Sequence, residues 1–206
     1  MAKSPWPMIH EQRRALAGNL SELSVEQWAT PSLCDKWTVN AVLAHLLTTA
    51  RLTPLTVVGQ LAAACFNFGR FANKNVARPI ADGSAATLAA FRVSVGSSSA
   101  PPGPKDSCLG ETLVHAQDIR SPVGIEHSCL LLWVTKAITF SAGGNALIGG
   151  KDRVSGLTPT ATDIDWFLVS GPLVEGRAMS LLMATTGRKL APQELHGLGV
   201  DVLRGR

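Results

Sequence analysis

Apolar residues recur at helical spacing through the first two thirds of the chain. The most regular case follows Thr38, where Val39, Val42, Leu43, Leu46 and Leu47 fall at i, i+3, i+4, i+7 and i+8. That pattern predicts an amphipathic helix capped by the Thr38 hydroxyl. Ser4 before Pro5 predicts an N-terminus for a helix through MIHEQRRALAGNL, and Ser24 with Gln27 predicts a capping box for a short helix that stops near Pro31. Thr53-Pro54 restarts or kinks the chain into an apolar stretch reaching about Phe71. Asp82 or Ser84 is expected to cap a helix through AATLAAFRVSV, and Ser107 a helix ending before Pro122. A further helix is predicted from about His127 to Ser141, stopped by Gly143-Gly144.

The texture changes after Gly149-Gly150. RVSGLTPTATDIDWFLVSG and PLVEG are rich in Val and Thr with partial alternation and predict two or three strands. RAMSLLMATTG then reads as a short apolar helix, with a weaker helix near the C-terminus. The prediction is a mainly α protein, with a helical bundle over residues 1–149 and a small α+β portion over 150–206.

The stretch ETLVHAQDIR interrupts the apolar texture. At about 100° per residue, Glu111, His115 and Asp118 lie within about 60° of one another, opposite Leu109, Leu113 and Ala116. The stripe faces water or lines a site. Glu and His at i and i+4 can offer an oxygen and a nitrogen to one cation. A third donor must come from elsewhere, and His45 on the Thr38 helix is the best placed, about 120° from the centre of the apolar stripe. His10, His127 and His196 are alternatives. Asp118 is expected either to orient His115 and move a proton, or to pair with Arg51 or Arg120. Arg188, just after a helix-ending glycine, is a helix C-terminal cation or a clamp for a substrate carboxylate.

Composition narrows the functional classes. The 206 residues are 46% hydrophobic and 17% charged, which supports a packed core and argues against large-scale disorder. A net charge of +4, with no basic run to concentrate it, gives nucleic-acid binding little support. The four cysteines, Cys34, Cys65, Cys108 and Cys129, form no CxxC pair. The N-terminus lacks the continuous apolar core of a signal peptide, so a reduced, cytoplasmic protein is expected. The longest uncharged run, Leu52 to Gly69, is marginal for a membrane span and reads as a buried helix.

EQWATPSLCDKWTVNAVLAHL, followed by GETLVHAQDIRSPVGI and then by the segment from TATDIDWF to the C-terminus, resembles the mycothiol-dependent maleylpyruvate isomerase family of the DinB-like metal-binding superfamily. The resemblance implies a four-helix bundle that holds a divalent metal, usually zinc, through His45, Glu111 and His115. It implies catalytic roles for Asp118 and, on a shorter context, Arg188. It further implies mycothiol as cofactor and a monomer or homodimer. The activity implied is that of an isomerase or thiol S-transferase in which a metal-activated thiolate attacks a small electrophile. The alternative is a non-catalytic metal-binding or thiol-sensing protein. The chain departs from the family pattern at Lys36, where glycine is common, and at Ser121, where arginine is common.

Overall fold

The computed structural model describes residues 4–35, 37–63, 80, 82–145, 148–189 and 191–206. The protein is mainly α. Helices are α1 (Trp6–Asn19), α2 (Val25–Ala29), α3 (Val39–Thr49), α4 (Pro54–Ala63), α5 (Ser84–Ser94), α6 (Asp106–Arg120), α7 (Leu131–Ala142), α8 (Gly150–Val154), α9 (Ala178–Thr185) and α10 (Val200–Arg204). Strands β1 (Thr158–Ala161) and β2 (Leu173–Gly176) pair in parallel, with Thr158 opposite Leu173 and Ala161 opposite Gly176. No helix among the described residues is long and apolar enough to cross a membrane.

Capping chemistry sets several of these boundaries. The Ser24 hydroxyl accepts from Gln27 N–H at 3.3 Å while Ser24 N–H donates to Gln27 Oε1 at 2.9 Å, a complete capping box. The Thr38 hydroxyl accepts from Ala41 N–H at 3.3 Å and opens α3 as expected. Elsewhere the caps differ from expectation. Pro5, not Ser4, is the N-cap of α1, with Pro7 in its first turn. Neither Asp82 nor Ser84 caps α5, because Gly83 at φ +86° makes the turn into it. Lys105 precedes α6, and the Ser107 hydroxyl donates back to the Pro104 carbonyl at 2.6 Å. Helix α7 begins at Leu131 rather than His127, since Leu130 is still extended. The run after Thr53 is not buried where it is described: Leu55 is 86% and Val58 62% exposed. Absence of charge does not imply burial, and exposed leucines are common. Its expected continuation towards Phe71 lies outside the described residues.

The chain forms two compact units, one of Met1–Cys108 with His115–His127 and the other of Leu109–Val114 with Ser128–Arg206. In the first, one core is shared by Leu16 and Leu20 at the end of α1, Val39, Val42, Leu43, Leu46 and Leu47 of α3, Leu88 and Phe91 of α5, and Ala116 and Ile119 of α6. Helices α1, α5 and α6 thus pack against the apolar stripe that the sequence marks on α3. In the second, α9 packs along α7 and is buried from Ser180 to Thr185. Gly150 opens α8 against the Ser141 carbonyl, closer than a Cβ would permit. The sheet is extended by single bridges from Thr160 to Phe167 and from Glu175 to His196.

Leu43 is wholly buried at the centre of the first core. Leu43→Ala should destabilise the protein by about 2–5 kcal/mol, read as a lower midpoint in urea denaturation with little change in slope.

Candidate metal centre

The stripe on α6 is enclosed. Asp118 has no exposed surface, the His115 side chain is 13% exposed, and Glu111 is half-buried. Leu109, Leu113, Ala116 and Ile119 bury the rest of the helix, so it presents polar groups inwards on one side and core residues on the other. A carboxylate wholly out of water needs a partner. Asp118 has one in His115, whose Nδ1 stands 2.9 Å from Oδ2 one turn away. With the carboxylate as acceptor, Nδ1 carries the proton and Nε2 carries the lone pair.

His45 reaches this ring from α3. The two imidazole centroids are 4.9 Å apart with planes at 72°, and one ligand atom each from His45, Glu111 and His115 lie within 4.8 Å of one another. Two imidazoles and one carboxylate in that arrangement fit a divalent cation of the zinc type and leave coordination positions open. The proposed ligand set therefore converges. Asp118 occupies the position that, in many metal sites, fixes the tautomer of a liganding histidine. The guanidiniums weighed as alternative partners of Asp118 have contacts elsewhere too: Arg51 donates to Ser94 Oγ and the Ala90 carbonyl, and Arg120 Nε to Asn19 Oδ1.

The connection from Pro31 to Thr38 completes the site and is not evident from periodicity. Pro31 and Thr38 form a bridge, and the Ser32 hydroxyl and N–H both donate to the Trp37 carbonyl, at 2.8 and 2.9 Å. Leu33 N–H donates to the Asp118 carbonyl at 3.2 Å. This fastening puts the Trp37 ring 5.0 Å from His45 and 6.3 Å from His115, centroid to centroid. It also puts Cys34 Sγ within 4.8 Å of ligand atoms of His115 and Asp118. Trp37 packs on Ala41 and Ala44 as well, so its role is wider than the hydrophobic staple its place before Thr38 suggests.

The remaining candidates have separate surroundings. His10 Nε2 lies 3.1 Å from the Ser97 carbonyl, and His196 exchanges backbone hydrogen bonds with Glu175. Arg188 follows Gly187, which lies at φ +87° against the Arg153 guanidinium; its N–H donates to the Met183 carbonyl and its Nη1 to that of Thr186.

The donors thus lie on helices α3 and α6 of a mainly α fold. Residues 9–102 match the family model of the mycothiol maleylpyruvate isomerase N-terminal domain. The whole chain is similar in fold to the crystal structure of a mycothiol-dependent maleylpyruvate isomerase, with TM-score 0.56 and 16% identity over 89% of this chain and 90% of that one. It is similar also to a histidine-to-alanine mutant of such an isomerase, with TM-score 0.56 and 13% identity over 94% and 93%. No curated protein matches the chain in sequence.

His127, a further candidate, has a buried Nε2 with no hydrogen-bond partner among the described residues. Burial, and then the nearby Arg120 charge, hold its pKa below the usual histidine value. The unfolded chain therefore takes up a proton first as pH falls, and the folded state loses stability from about pH 6.5 down to the lowered pKa. His127→Leu should flatten the fall in Tm between about pH 7 and about pH 5. An unchanged slope would remove His127 as its source.

Proposed function

We propose that this protein is a divalent-metal-dependent, mycothiol-using isomerase or thiol S-transferase acting on a small electrophile. The reading rests on the convergence of His45, Glu111 and His115, with Asp118 holding the His115 ring. His45, Glu111 and His115 would hold a divalent ion, which would supply Lewis acidity that favours the thiolate form of a thiol near neutral pH. The chain's own residues do the rest. Asp118 keeps the proton on Nδ1 of His115 and so keeps Nε2 directed as a donor, and the same carboxylate is the nearest group to accept a proton from that ring. Trp37 covers the two imidazoles with an apolar surface that reduces access of water and strengthens electrostatic interactions beneath it. For an anionic substrate group we assign Arg188, on the family resemblance of its GR context.

The reading is tested first by metal content. Purified wild type should retain about one divalent ion per chain and His115→Ala should lose it; equal metal in both would overturn the ligand assignment. Asp118→Asn should keep the ion but weaken its binding by about 10–100-fold in chelator competition. The loaded protein, supplied with mycothiol, should then turn over maleylpyruvate or another electrophile. Metal without thiol-dependent turnover across an electrophile panel would favour the metal-binding or thiol-sensing alternative. Within an active pair, Arg188→Met should raise KM for anionic electrophiles and leave neutral ones unchanged.

A further inference from the structure

His115 belongs to two groups of metal-capable side chains. One is the His45, Glu111, His115 set; the other joins His115 to Cys34 and Asp118, with ligand atoms again within 4.8 Å of one another. Asp118 Oδ2 stands 2.9 Å from His115 Nδ1, which is the ring nitrogen we assign to the second group. We propose that Cys34, His115 Nδ1 and Asp118 form a second cation site, selective for thiophilic ions such as zinc or cadmium, that shares the His115 imidazole with the first.

Three observations carry this. The main chain that carries the thiol is held in place: Cys34 N–H donates to Ser32 Oγ at 3.1 Å, its carbonyl accepts from Trp37 N–H at 3.1 Å, and the neighbouring Leu33 N–H is fastened to the Asp118 carbonyl. Asp118 is wholly buried and Cys34 half-buried, with ligand atoms within 4.8 Å of each other, so a cation between them would let thiolate and carboxylate be negative together. One ligand pair is also close to the separation that a tetrahedral ion requires. Nitrogen and oxygen ligands on zinc stand about 3.3 Å apart, so the 2.9 Å His115–Asp118 pair opens by only a few tenths of an ångström when an ion replaces the proton between them. The thiol and Nδ1 protons leave to solvent.

The donor sets differ in kind. Nitrogen and oxygen donors suit a borderline ion at the first site, whereas sulfur at the second favours softer ions. Two cations on opposite nitrogens of one ring repel, so filling either site weakens binding at the other. Filling it also breaks the hydrogen bond that orients His115, which makes excess thiophilic metal inhibitory in an enzyme of the kind proposed above.

Cadmium titration of the full chain tests the site, because thiolate-to-cadmium charge transfer reports sulfur ligation in the ultraviolet whether or not the protein is active. Wild type should take up two ions, with the charge-transfer band rising with only one of them. Cys34→Ser, close to isosteric, should take up one and show no band. His45→Ala should take up one and keep the band, and His115→Ala should lose both ions. No band at saturation in wild type, or a band that persists in Cys34→Ser, would overturn the proposal. A band lost only in Cys34→Ser would uphold it even if no thiol-dependent turnover is found.

Discussion

The constraint on which the rest depends is the carboxylate of Asp118, carried completely out of water on the inner side of α6. An unpaired charge there would cost several kcal/mol, and the His115 Nδ1–H one turn back provides its partner. That single hydrogen bond fixes the tautomer of the ring and points its second nitrogen away from Asp118. The main chain of the same residue has a second task, since its carbonyl receives Leu33 N–H and holds the Pro31 to Thr38 connection against the helix. Ring orientation, loop position and the placement of Cys34 and Trp37 are therefore coupled through one residue.

Helix α3 answers this arrangement with two faces of different character. Val39, Val42, Leu43, Leu46 and Leu47 supply the bulk of the core, while Ala41 and Ala44 make the adjoining face small enough to seat the Trp37 ring. His45 lies along that small-residue face. Larger side chains at 41 and 44 would fill the space the indole occupies, and close packing leaves little slack for such a change. The apolar stripe thus positions the helix, and the alanines make its other flank usable for chemistry.

Much of this was legible in the sequence. The caps at Ser24 and Thr38, the stripe on α3 and the same-face grouping of Glu111, His115 and Asp118 follow from local rules of spacing and hydrogen bonding, and the structure keeps them. What local rules did not carry is the connection between two caps. Pro31 to Thr38 has no periodicity, its shape comes from hydrogen bonds involving Ser32 and the Asp118 carbonyl, and so the approach of Cys34 and Trp37 to His115 is a tertiary fact. The start of α7 was misplaced for a related reason: residues 127–130 carry helix-compatible side chains, yet Leu130 is extended. The parallel pairing of β1 with β2 depends on a crossover of residues 162–172, for which alternation of side chains gives no direction.

The family match and the donor set divide the chain differently, and the division bears on function. Residues 9–102 include His45 together with Cys34 and Trp37, whereas Glu111, His115 and Asp118 lie beyond them on α6. At 13–16% identity the structural likeness carries the fold and not the chemistry. The functional argument therefore turns on whether α6, outside the matched residues, supplies side chains that complete what α3 begins. It does so with an imidazole whose free orientation has been removed by a buried acid. A solvated histidine on a helix flank would not need that restraint, and it is on this buried acid holding an imidazole that the proposed metal site rests.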